Sequence, residues 1–100
     1  MMKSRNGVRY SYDEHKRAKV LEERGLDLAD APSVFDGFLL SRDDAKHSHE
    51  EKRTITVGML RDQLVVLVVW TPRPGERRII TMWKANERER QRYDEQRNRS

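Results

Sequence analysis

Arginine is the residue on which the chemistry of this chain must rest. Of 21 Lys+Arg side chains, only Lys3, Lys16, Lys19, Lys46, Lys52 and Lys84 are lysine. A guanidinium pairs bidentately with phosphate and never loses its charge, so this bias points to a polyanion rather than a small neutral metabolite. The positive charge is concentrated in the last third. There, residues 63–71 (QLVVLVVWT) form a nearly unbroken apolar run, Arg73-Pro74-Gly75 a turn, and residues 77–83 (RRIITMW) an Arg-led strand. Lys84-Ala85-Asn86 then opens an Arg/Glu-rich helix. Fixed cations on such a rigid platform are expected to meet nucleic acid.

The other reactive side chains exclude more than they offer. His47 and His49 stand two apart in a charged loop and His15 is remote, so no third ligand completes a metal site and none is expected. His47-Ser48 are neighbours, which is not the geometry of a nucleophile and its base; the pair is expected to fix the loop. Cysteine is absent, which rules out disulfides and thiolate chemistry. The formal charge of +4 and pI of about 9.7 favour acidic partners. The first nine residues are polar, unlike a signal peptide, and the apolar run at 64–70 is far shorter than the ~20 residues of a membrane span. A cytoplasmic protein without membrane contact is expected.

These residues need a scaffold. One hundred residues at 35% hydrophobic content suffice for one small domain, residues 1–100, with 1–7 and 97–100 expected to be flexible. Residues 8–12 (VRYSY) alternate as a first strand. Asp13 caps a helix over 14–24, and Gly25 stands at its C′ position. Residues 26–35 read as a shorter helical segment whose helix proper starts at about Asp30, with Pro32 in its first turn and Asp36-Gly37 as its end. Residues 38–40 can begin a second strand, and 41–52 (SRDDAKHSHEEK) read as a charged connection. Residues 53–60 (RTITVGML) pair through an Arg61-Asp62 hairpin with 63–71, a central strand covered on both sides. Residues 77–83 add an antiparallel neighbour, and a helix over 84–97 anchored by Tyr93 closes an α+β fold of one antiparallel sheet with packed helices.

Three stretches in this order resemble the BrnT-type toxins of bacterial toxin–antitoxin pairs. The opening is Tyr12-Asp13-x-x-Lys16, Gly25, then Leu26-x-Leu28-x-x-Ala31-x-x-Val34-Phe35. The middle is His47-Ser48-His49-Glu50-Glu51-Lys52-Arg53, leading through a strand to Gly58. The close is Arg78-Ile79-Ile80-Thr81, Lys84-Ala85, Glu89 and Tyr93. The resemblance spans roughly residues 10–95 and implies a RelE-like fold, with two N-terminal helices and one C-terminal helix on the sheet. It further implies a translation-inhibiting ribonuclease held inactive by a cognate antitoxin. Such antitoxins usually carry a dimerising ribbon-helix-helix segment, through which the complex reaches operator DNA.

Metal-free RNA cleavage needs an acceptor for the 2′-hydroxyl proton, cations for the phosphorane and a donor for the leaving 5′-oxygen. The candidate cations are Arg53, Arg73, Arg78 and Lys16, and the candidate acceptors are Glu51 and His47. Tyr93 or Lys84 could act as donor or phosphate ligand. Each has a plainer use: Arg53 and Arg78 as solvated edge residues, Arg73 as a turn charge, Glu51 as a partner of Arg53 or Lys52. Trp83 stands where the family commonly has arginine, and an indole supplies neither the charge nor the fork. It could stack on a base or simply pack. The departure keeps open a catalytically attenuated chain that binds antitoxin or nucleic acid without turnover.

Overall fold

An apolar strand needs cover on both faces of its sheet, and the computed structural model provides it. The structure describes residues 7–47, 49 and 51–100, together with the backbone of residues 2–3; Ser48 and Glu50 of the middle motif lie outside the described residues. In chain order the elements are β1 (Met2–Lys3), β2 (Arg9–Tyr12), α1 (Glu14–Arg24), a 3-10 helix (Leu28–Asp36) and β3 (Leu40–Asp43). They continue as β4 (Thr54–Leu60), β5 (Leu64–Arg73), β6 (Glu76–Lys84) and α2 (Glu87–Arg99). The strands form one sheet in the order β1-β2-β6-β5-β4-β3.

Strand β5 divides the core. Val66 and Val68 face Tyr10, Ile79 and Met82, together with Val20 of α1 and Leu28, Ala31 and Val34 of the 3-10 helix. Val65, Leu67 and Val69 face Ile55, Ala85 and Tyr93 of α2 on the other side. The two N-terminal helices therefore cover a first face and the C-terminal helix a second. The α+β class is as expected, but the sheet is mixed: β2 runs parallel to β6, while every other pairing is antiparallel. No hairpin connects β2 to β6, so neither alternation nor turn residues carried its direction there.

The element ends follow local chemistry. Asp13 accepts the amides of His15 and Lys16, and Gly25 closes α1 at φ 68° with its N–H on the Leu21 carbonyl. The second helical segment starts at Leu28, earlier than expected, because Asp27 caps it by accepting the Ala29 amide at 2.9 Å. Arg17 of α1 holds the same carboxylate at 2.8 and 3.1 Å, tying the two helices together. Helix α2 starts later than expected, at Glu87, because Asn86 and Glu89 form a reciprocal capping box. Leu40–Asp43 is an edge strand within the expected connection; its polar residues carry no apolar alternation, and Ser41 is held to Thr56 by a 2.8 Å hydroxyl contact. Arg61 and Asp62 both take positive φ, the hairpin turn expected between β4 and β5.

Between Val69 and Trp70 the β5–β6 register shifts by one residue. This bulge reverses the alternation of β6: Ile79 and Met82 join the first core, Ile80 and Trp83 the second. Strict alternation would put Met82 on the same side as Arg78 and Ile80; the bulge sends it to the opposite core.

Gly58 is fixed by contact with the 3-10 helix. A Cβ there would lie 2.6 Å from Val34 Cγ1 and 3.0 Å from the Val34 carbonyl oxygen. Gly58→Ala is expected to destabilise the fold by about 1–3 kcal/mol in urea titration; an unchanged midpoint would refute this packing. The second test concerns Asp27, whose carboxyl is held below its ordinary range chiefly by the Arg17 guanidinium. A depressed carboxylate stabilises the fold above its unfolded pKa of about 3.9 and loses that contribution as pH falls through the folded value. Asp27→Asn keeps the cap but removes the charge. Its stability deficit against the natural chain should be full near neutral pH and close as pH falls through the folded carboxyl's range; a deficit constant from neutral into acid would exclude the ion pair as its origin.

Candidate functional site

Helix α2 covers only part of the second face. It packs beside the β4–β5 hairpin, where Glu87, Arg90 and Asp94 border a groove with Met59, Leu64 and Lys84. Towards the β5–β6 turn the same face is open. There a concavity of about 360 Å³ is lined by His47, His49, Glu51, Arg53, Thr71 and Ile80.

Sheet register explains who meets there. Thr54 pairs with Trp70, so extending that register by one residue sets Arg53 beside Thr71. Thr71 pairs in turn with Arg78 on β6, and Arg78 with Ser11 on β2. Arg53, Thr71, Arg78 and Ser11 therefore form one row across four strands. Partners in register share a face, and Arg78 falls on the face of Ile80. Arg73 lies two residues beyond Thr71 and reaches Glu51 with Nε and Nη2, both at 3.3 Å. This pair is about half exposed, with side-chain accessibilities of 43% and 52%, so it contributes little to stability and can exchange partners.

His47 approaches the concavity from the other side. Its Nδ1 is 3.1 and 3.3 Å from the two carboxylate oxygens of Asp44. The backbone fixes this pair as well: the Asp44 amide donates to the Arg53 carbonyl at 2.8 Å, and the His47 amide to the Asp44 carbonyl at 3.1 Å. Asp44, His49 and Thr71 were missed by sequence reasoning. The i,i+3 spacing of Asp44 and His47 was a usable signal, whereas Thr71 enters only through its strand partners.

The structure thus gathers Arg53, Arg73, Arg78, Glu51 and His47 at one end of one face. The remaining candidates lie elsewhere. Lys16 is exposed on the first turn of α1, whose buried Val20 belongs to the first core, and it does not line the concavity. That turn nevertheless stands near Arg78: the Asp13 carboxyl is held below its ordinary range chiefly by the His15 amide, with a smaller attraction from Arg78. Lys84 borders the groove at the α2 end. Tyr93 is buried, and its hydroxyl donates to the Phe38 carbonyl at 2.8 Å, so it is the packing anchor of α2. Trp83 is half-buried against the second core. Among the described residues, no three His, Asp or Glu side chains gather as a metal site would require.

Arg77 takes the opposite direction from Arg78. Its guanidinium carbon lies 4.3 Å from the centre of the Phe35 ring, 5.4 Å from Trp70 and 5.6 Å from Tyr10, and Nη1 donates to the Tyr10 hydroxyl at 2.6 Å. The Arg-led strand is therefore not a uniform cationic surface. One of its two arginines is committed to aromatic packing on the first face.

Known proteins match this architecture. The family model described as "Ribonuclease toxin, BrnT, of type II toxin-antitoxin system" matches residues 12–89. Among solved structures, the Brucella abortus ribonuclease toxin BrnT is similar, with a TM-score of 0.61 and 19% identity, over 80% of this chain and 99% of that one. At that identity the likeness is one of fold. No curated protein matches the chain. The family match takes in both the opening helices and the arginine-bearing strands, and this chain belongs to the BrnT family of type II toxin–antitoxin ribonuclease toxins.

Proposed function

We propose that this chain is an endoribonuclease toxin that cleaves RNA without a metal and so blocks translation in the cytoplasm. Membership of a type II family implies a cognate protein antitoxin. The antitoxin is proposed to be a dimerising ribbon-helix-helix protein that silences the toxin and carries the complex to operator DNA. No helix of the described residues is long and apolar enough to cross a membrane.

The observation that carries this reading is the row Arg53–Thr71–Arg78, with Arg73 beside it, across the uncovered end of the second face. Arg53 lines that concavity, and Arg78 and Arg73 stand beside it on the neighbouring strands, within the reach of a bound RNA backbone rather than of one phosphate alone. In the reaction, a base removes the 2′-hydroxyl proton and the 2′-oxygen attacks phosphorus. The bond to the 5′-oxygen breaks, and that oxygen takes up a proton. The products are a 2′,3′-cyclic phosphate and a 5′-hydroxyl. Negative charge grows on the non-bridging oxygens, where Arg78, within β6, and Arg53, immediately before β4, are held by the sheet and need little rearrangement. Arg73 can exchange Glu51 for a phosphate oxygen, because its present ion pair is solvated and weak. Lys16, on the helix turn near Arg78, is proposed to steer the RNA backbone rather than to act on phosphorus.

A second reading follows from Trp83. Its indole fills the second core at the position commonly held by a family arginine, so the chain could hold RNA or antitoxin without turnover. One assay separates the two: purified protein with single-stranded RNA in EDTA. Cleavage is expected, and Arg78→Ala should reduce its rate roughly 10²–10³-fold, as loss of one fixed donor to a developing oxyanion does. Cleavage abolished by EDTA would refute metal independence. RNA binding without cleavage, with cutting restored by Trp83→Arg, would establish the attenuated reading instead.

A further inference from the structure

We infer that Asp44 is a positioning residue that makes His47, rather than Glu51, the acceptor of the 2′-hydroxyl proton; this rests on the ribonuclease reading above. Both Asp44 oxygens lie within hydrogen-bonding reach of Nδ1 of His47, and an ionised carboxylate can only accept. The neutral imidazole is therefore held with its proton on Nδ1. Nε2 keeps its lone pair on a residue that lines the concavity. The carboxylate also stabilises the imidazolium formed when Nε2 takes up the proton, a division of labour known from other aspartate–histidine pairs.

Two further observations favour this pair. Asp44 is only 12% accessible while His47 is 58% accessible, so the orienting group is sheltered and the working group is open to substrate. The Asp44 amide is bonded to the carbonyl of Arg53, so the base and one proposed phosphate ligand are registered to each other through a single backbone hydrogen bond. Glu51 is placed differently: both of its oxygens are engaged by Arg73. It becomes available only once Arg73 has exchanged it for a phosphate oxygen, whereas the His47 side chain is already exposed in the free chain. Among the described residues, the charged and titratable groups around His47 include Asp44 and Lys46 on its own turn, His49, Glu51 and Arg53 lining the same concavity, and Arg73 reaching Glu51 from β5.

The test is the rate of single-turnover RNA cleavage by the full chain. His47→Gln should lower the rate about 10²–10⁴-fold. Asp44→Asn should lower it roughly tenfold to a hundredfold, less than in a fully buried triad. Glu51→Gln should lower it less than His47→Gln does. Thermal unfolding of each variant controls for folding. In parallel, long-range proton–nitrogen NMR of the imidazole should find the natural chain protonated at Nδ1 and Asp44→Asn shifted towards the Nε2-protonated form. A tautomer unchanged by Asp44→Asn, or a rate that falls further with Glu51→Gln than with His47→Gln, would overturn the assignment. If the natural chain cuts no RNA, the ribonuclease reading fails and the base role with it, whereas the NMR result still decides whether the carboxylate orients the ring.

Discussion

Arg77 and Arg78 are adjacent in sequence but leave β6 on opposite faces, and the arrangement of the molecule follows from that division. Arg77 is enclosed by Tyr10 of β2, Phe35 of the 3-10 helix and Trp70 of β5. Each such contact contributes about 0.5–2 kcal/mol depending on its exposure. Their larger effect is geometric, since one guanidinium joins the parallel strand, the 3-10 helix and the central strand. With Arg77 held in that cage, strand alternation leaves Arg78 no face but the other. The packed cation thereby fixes the aim of its neighbour.

The same alternation explains why the second face can host a site. The bulge in β6 reverses its phase beyond Ile80, so Trp83 joins the apolar set beneath α2 while Ile80 remains at the rim of the concavity. Apolar residues and helix cover one end of the face; arginines and the β3–β4 connection occupy the other. Cations at this end keep contact with solvent, which avoids the large penalty of burying charge. The half-exposed Arg73–Glu51 pair fits this logic, because a solvated contact holds the guanidinium in place at little energetic consequence.

Much of this was legible in the sequence, and the failures share a cause. Helix α1 was readable because its signals are local: Asp13 at one end, Gly25 at the other. The apolar run of β5 announced a strand covered twice. What local patterns could not carry was long-range pairing. The parallel union of β2 with β6 joins residues more than sixty positions apart, and the bulge depends on two strands at once. Edge strand β3 was only half readable: a strand was expected to begin at residues 38–40, but it runs over Leu40–Asp43, where a strand with one free side has no need of apolar alternation. Of the site, Arg53, Arg73, Arg78, Glu51 and His47 were named from the sequence and lie together. Tyr93 and Lys84 were drawn towards the chemistry by the family pattern, although the fold gives Tyr93 to the core and Lys84 to another groove.

Trp83 shows how a family position can keep its place while changing its use. The bulge sets this side chain on the face of Ile80 and Arg78. The indole turns its area to Leu67, its register partner, and to the apolar group around Tyr93. An indole here adds apolar area to the second core, where a guanidinium would add charge at its rim. Thr71 and Arg78 are paired four residues away along β5, with Arg53 beside them. The row of Arg53, Thr71 and Arg78 therefore does not depend on residue 83.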